Sequence, residues 1–355
     1  MPGAAQYMPS EYTLKDDYSV DLKICQCSGC GLVQLNNDPV PYYKEVIRAT
    51  SFSNEMTAFR RKHFKNFVEK NKLKNKKIVE IGCGTGHYLS ILSDFDVDAR
   101  GFEFARDSVE ICRKKGLKVE MDFIDNSSRM LKGGPFEAFM IMSFLEHQPH
   151  PNKMLGGIYH NLTPGGIGLV EVPNFDMIIE NNLFAEFIGD HLLYFTKETL
   201  ERTLEINGFD VIYSQSVWYD YILSMVVKKR EEHNLSNFII RKEKVRKEIT
   251  DFVKRYNENS VAIWGAGHQS LAIMSIVDLG KKIKYVVDSA TFKQGRFTPA
   301  THIPIVEPDR LKLDPPKAVI VMAASYSDEV GRIINEKYNG LFDVAIHRNY
   351  GLEII

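Results

Sequence analysis

The segment Glu80-Ile81-Gly82-Cys83-Gly84-Thr85-Gly86 is an acid followed by three glycines at alternate positions. Alternating glycines permit positive φ and let a ligand approach the backbone closely, and the amphipathic stretch 88–92 after them offers free N–H groups at a helix start. A dinucleotide turn would read G-x-G-x-x-G with a diphosphate on those N–H groups. Here the acid before the first glycine repels a diphosphate and suits a cationic ligand such as a sulfonium. Glu103 ends the next apolar run, where a carboxylate can accept both hydroxyls of a ribose. Asp190-His191 sets an acid beside an imidazole just ahead of a capped helix at Thr196. An aspartate so placed can orient a histidine and raise its basicity, which makes His191 a candidate base. Cys27-Ser28-Gly29-Cys30 puts two thiols on one tight turn, half of a tetrahedral zinc site. No second C-x-x-C accompanies it, so free thiols in a small ordered module are the expectation and zinc the alternative. Gly265-Ala266-Gly267-His268, with Lys293 and Arg296 nearby, could hold a diphosphate or serve as scaffold alone.

The elements that must position these residues follow from periodicity. Strand, glycine turn and helix begin at Lys77, and further strands are expected over 99–104, 117–123 and 136–142, with a turn plus a fifth strand over 162–174, in βαβαβ order. The fourth runs into Ser143-Phe144-Leu145-Glu146-His147. Between Tyr42 and Leu73 the spacing of Phe59, His63, Phe64, Phe67 and Val68 predicts an amphipathic helix, with Arg60 and His63 as candidates to face the site. A charge-rich helical stretch leads to a second α/β unit that starts at Val261. The expected division is a cysteine-containing module over 1–45, a ligand-binding domain over 46–227, a helical connector over 228–258 and a Rossmann-like domain over 259–355.

Composition limits the partners. Basic and acidic side chains nearly cancel, 45 against 46, for a formal net charge of -1, so neither nucleic acid nor an anionic membrane is expected. The first residues lack a charged region followed by an apolar one, and no run approaches the ~18 apolar residues of a membrane span. A cytoplasmic enzyme acting on a small molecule, as a monomer or homodimer, is the expectation.

The acid-glycine motif resembles motif I of the class I S-adenosylmethionine-dependent methyltransferases, and with it five elements match in that family's order. Over nearly the whole chain the sequence resembles the three-part sugar C-methyltransferases, which act on nucleotide-linked 4-keto-6-deoxysugars. The residues that carry this likeness are the Cys27–Leu35 knuckle, motif I, Asp190-His191-Leu192-Leu193-Tyr194-Phe195, and the stretch from Val287-Asp288 through Lys293-Gln294-Gly295 to His302-Ile303-Pro304. The resemblance implies an α/β fold: a class I methyltransferase Rossmann-like domain between a small N-terminal cysteine-containing module and a second C-terminal Rossmann-like domain. It implies S-adenosylmethionine held by Glu80, Gly82, Cys83, Gly84, Gly86, Glu103 and Phe104, with Asp122 at the adenine amino group, Phe123 against the ring, and Ser143 and Glu146 near the methionine end. It assigns catalysis to His191 with Asp190, and a substrate side to His147, Asn174, Tyr194, Gly265, Gly267 and His268; His147 either shapes the pocket wall or takes part in the chemistry. Ile188, Asp190, Gln269 and Ser270 depart from the family's residues, and its first cysteine knuckle would lie before Met1. An O- or N-methyltransferase, a non-enzymatic S-adenosylmethionine-binding module and, opposed by Glu80, a nicotinamide-dependent oxidoreductase are the alternatives.

Overall fold

The computed structural model describes residues 1–3, 8–45, 53–125 and 129–355, and the chain divides into two compact units, Met1–Glu232 and His233–Ile355. The first unit opens with an antiparallel pair, β1 (Ile24–Gln26) and β2 (Val33–Leu35), joined across the cysteine turn. Next comes α1 (Asn54–Lys70), capped by the Ser53 hydroxyl, which accepts the Met56 N–H. Its buried face carries Phe64, Phe67 and Val68 at helical spacing. The part of the expected helix over 46–52 lies outside the described residues.

The chain then alternates as its periodicity requires. In order these elements are β3 (Lys77–Ile81), α2 (His87–Ser93), β4 (Asp98–Glu103), α3 (Arg106–Lys114), β5 (Val119–Met121), β6 (Phe136–Met142), α4 (Pro151–His160) and β7 (Leu162–Pro173). After them come α5 (Phe175–Glu180), β8 (Leu193–Tyr194), α6 (Lys197–Ile206), β9 (Phe209–Val217) and β10 (Ile222–Lys229). One sheet runs β5-β4-β3-β6-β7-β10-β9, parallel through β7, with β10 antiparallel to both neighbours. β3 and β6 are buried almost throughout because helices cover both faces of a parallel sheet. Strand order reverses between them: β4 and β5 lie to one side, β6 and β7 to the other. At such a switch point the carboxyl ends of the two central strands leave a crevice open to a ligand. Both the glycine turn after β3 and Ser143–His147 after β6 open on it.

The short β8 pairs with β2, Val33 opposite Tyr194, giving a separate sheet β1-β2-β8. Leu32 and Leu35 share a core with Leu192, Leu193, Tyr194 and Phe195. The cysteine-bearing segment is thereby built onto the loop that carries Asp190 and His191.

The second unit contains α7 (Ser236–Val253), β11 (Val261–Trp264), α8 (His268–Val277), β12 (Ile283–Val287), β13 (Ile305–Val306), β14 (Ala318–Val321), β15 (Asp343–His347) and β16 (Leu352–Ile354). Its sheet runs β13-β12-β11-β14-β15-β16, parallel except at β16. Ile249, Phe252 and Val253 of α7 join the core formed by β11, β14 and α8, so the charge-rich helix buries its last turns in this unit.

Candidate active site

The glycine turn is held by what surrounds it. Gly82, Gly84 and Gly86 have φ of 70, 53 and 77°, a region that strains side-chain-bearing residues. A Cβ on Gly82 would lie 2.6 Å from the Phe144 ring, and one on Gly86 2.5 Å from Leu117 and 2.8 Å from the Cys112 sulfur. Glu103, buried at the end of β4, accepts the Gly84 and Ala105 N–H groups, each at 2.8 Å, one with each oxygen. Cys83 is fully buried and can offer a ligand only its backbone; Glu80 lies behind the turn in β3, 1% exposed.

At the adjacent corner Asp122 accepts the Phe123 N–H at 2.7 Å and pairs with Arg129, also at 2.7 Å. Phe104 and Phe123 meet edge to face at 6.1 Å, and the Lys44 ammonium sits 5.3 and 5.0 Å from their ring centres. Tyr43 closes on Phe123 at 6.0 Å. Tyr43 and Lys44 were not singled out in the sequence; an aromatic-lysine doublet before a helix was the only signal. A left-handed glycine turn, an acid at the end of β4 and an aromatic pair beside it fit S-adenosylmethionine.

The second half of the site follows β6. Ser143 has φ of 50° and donates its N–H to the Glu171 carbonyl at 2.8 Å, turning the chain into the Leu145–His147 helical turn. The Leu192 N–H bonds the Glu146 carbonyl at 2.9 Å, and His147 Nδ1 lies 2.8 Å from the Asp190 carbonyl. These contacts bring Glu146, His147, Asp190 and His191 together. The two imidazoles cross nearly at right angles with centroids 4.7 Å apart. The Asp190 carboxylate accepts the Tyr42 hydroxyl at 2.6 Å, so a residue outside the predicted set enters the site. The Tyr194 hydroxyl donates to the Ile188 carbonyl and accepts its N–H, closing the 188–194 turn on itself. Burial raises the Glu146 carboxyl to about 8, and burial with the neighbouring His147 depresses His191 to about 3, the reverse of the raised basicity expected from a neighbouring Asp190, whose carboxylate takes the Tyr42 hydroxyl.

Asn174 caps α5 by accepting the Asp176 N–H at 3.1 Å and donates to the Asp220 carbonyl at 2.8 Å. It thereby fastens the left-handed run Trp218-Tyr219-Asp220. Arg60 and His63 of α1 converge on the buried Glu171 of β7, His63 at 3.1 Å. Burial opposes charge on Glu171, but the guanidinium outweighs it and holds the carboxyl below its ordinary range.

Cys27 and Cys30 stand half-buried on their turn, and among the described residues no third donor gathers with them closely enough to hold a metal. The second glycine turn lies in the second unit. Gly265 adopts φ of 116° against the Met322 carbonyl, and Asp288 accepts the Ala266 N–H at 2.8 Å and the Lys293 ammonium at 2.9 Å. A cavity of about 350 Å³ opens there beside Gly265, Gly267 and His268.

Residues 55–214 match the model of a methyltransferase domain, and residues 227–341 that of the C-methyltransferase C-terminal domain. The chain is similar to C-methyltransferase NovU of Streptomyces niveus, 24% identical over 290 residues that cover 73% of this chain and 69% of NovU. A ubiquinone biosynthesis O-methyltransferase of Methylococcus capsulatus is 30% identical over 99 residues, 26% of this chain and 42% of that protein. Among solved structures, an S-adenosylmethionine-dependent methyltransferase from Clostridium acetobutylicum aligns with a TM-score of 0.41 at 12% identity, over 53% of this chain and 96% of its own.

Proposed function

We propose that this chain, an S-adenosylmethionine-dependent methyltransferase by its matched domains, methylates a carbon atom of a small nucleotide-linked sugar, a keto-deoxysugar in the first instance. The observation that carries the choice of carbon is the C-methyltransferase C-terminal domain match over 227–341, alongside the similarity to NovU, itself a C-methyltransferase. The site geometry is consistent with it. Methylating carbon beside a ketone requires removal of a proton, and His191 stands at the switch-point crevice beside the Glu146–His147 turn. S-adenosylmethionine supplies the electrophilic methyl. Glu103, the glycine turn and the Phe104–Phe123 corner would hold it; Asp190, fixed by Tyr42, would set the loop from which His191 takes the proton.

The test is His191→Asn with cofactor binding measured beside turnover. Removing a general base is expected to lower kcat by ~10²–10⁴ while S-adenosylhomocysteine binds as before. Turnover equal to the parent would remove His191 from the role. NMR of the product locates the new methyl: on carbon it supports the reading, and on oxygen or nitrogen it replaces it with heteroatom transfer.

A further inference from the structure

We propose that Glu146, His147 and His191 form a binding site for one divalent transition cation of the zinc type, and that its occupancy competes with proton acceptance by His191. The competition rests on the base assignment above; the binding does not.

One ligand atom from each of the three side chains lies within 4.8 Å of the others. Donors around one zinc, at bonds of about 2.0–2.1 Å, stand about 3.3 Å apart, so modest side-chain rotation closes the set. The tautomer of His147 is fixed by its partner. A carbonyl can only accept, so the 2.8 Å contact with the Asp190 carbonyl puts hydrogen on Nδ1 and leaves the lone pair on Nε2. A backbone carbonyl on the far nitrogen is the usual way a metal-bound imidazole is oriented. That lone pair faces Glu146, whose Oε1 is 3.9 Å from His147 Nε2. Glu146 is 2% exposed, and its Oε2 has no hydrogen-bond partner among the described residues.

With the Glu146 carboxyl ionised, two acceptors face each other in a buried space with no protein donor between them among the described residues, and a third nitrogen stands beside them. A cation is the species that such lone pairs can share. Two imidazoles and one carboxylate favour zinc, cobalt or nickel over magnesium or calcium, which prefer oxygen alone. The donors are also set in advance, because Leu192 and His147 tie the two contributing segments through backbone contacts at 2.9 and 2.8 Å. A cation on the His191 lone pair prevents that nitrogen from taking a proton.

The full chain, stripped with chelator, is titrated with cobalt and followed by its visible ligand-field absorption, with zinc as competitor. One equivalent is expected to bind. His147→Ala and Glu146→Gln are each expected to weaken binding by ~10- to 100-fold, while Cys27→Ser/Cys30→Ser leaves it intact. Far-ultraviolet circular dichroism and the melting temperature of each variant certify its fold. No absorption, or absorption indifferent to both site substitutions, overturns the site. Turnover that falls in step with occupancy supports the competition; turnover that holds or rises at full occupancy overturns it, together with the base role of His191 but not the cation site. Because binding is read optically, failure of the methyl-transfer reading leaves this test standing.

Discussion

Tyr42 and Asp190 are 148 residues apart in sequence and 2.6 Å apart in space, hydroxyl to carboxylate. That one bond clips the segment ahead of α1 to the loop that presents His191. Tyr42→Phe removes it while keeping the ring. The expected outcome is a stability loss of ~1 kcal/mol or more by denaturant titration, and a fall in kcat of ~10- to 100-fold from slack in the loop. Cofactor binding should hold, because no atom of the glycine turn is touched. The glycine turn predicts the reverse pattern. Gly82→Ala would put a methyl carbon 2.6 Å from the Phe144 ring at a φ of 70°. Calorimetry is expected to show lost S-adenosylhomocysteine affinity, and the melting temperature should drop as well, since strain and overpacking each cost ~1–3 kcal/mol.

At the scale of elements, α1 is bound to the sheet by charge as well as by packing. Arg60, 1% exposed, and His63 meet Glu171 at the middle of the antiparallel seam between β7 and β10, where His63 also reaches Ser224 at 3.2 Å. Removing one partner of a buried pair leaves the other uncompensated, so Arg60→Met is expected to cost ~3–5 kcal/mol in chemical unfolding. The sign of the pH dependence follows from the depressed carboxyl of Glu171. Its contribution is complete above the ordinary carboxylate value and is lost as pH falls through the lower, folded value. The gap in melting temperature between the parent and Glu171→Gln should therefore be widest near neutrality and narrow below about pH 4.5. Helix α6 offers a smaller check. Thr196 and Thr199 close a capping box immediately after β8, and Thr196→Ala is expected to cost ~1 kcal/mol.

What could be read from the sequence depended on range. The strands and glycine turn of the first sheet were legible because apolar runs, glycines and acids alternate within a few residues. The Asp190-His191 pair was visible as chemistry, but its surroundings were not: Tyr42, the perpendicular His147 ring and the pairing of β2 with β8 join segments more than 40 residues apart. Arg60 was placed near the site on helical phase alone, and its partner on β7 could not be named from spacing. The cysteines test this picture across the first unit, which holds all five. Cys25, Cys27 and Cys30 are half-buried, whereas Cys83 and Cys112 are fully buried behind the glycine turn, Cys112 donating to the Gly84 carbonyl at 3.3 Å. A thiol-reactive disulfide dye should therefore count three fast thiols and two slow ones. Cys27 should lead, because hydrogen bonds from the Cys30 backbone and side chain lower its pKa and enrich the thiolate. The slow pair reports opening of the core, so S-adenosylhomocysteine at a hundredfold excess over its Kd should retard only those two, by ~100-fold. Zinc should leave Cys27 as reactive as before, since among the described residues no third ligand atom gathers within 4.8 Å of both Cys27 and Cys30. Fast reaction of Cys112 in the native chain would contradict the packing of α3 behind the glycine turn, and with it the rigidity on which the cofactor site depends.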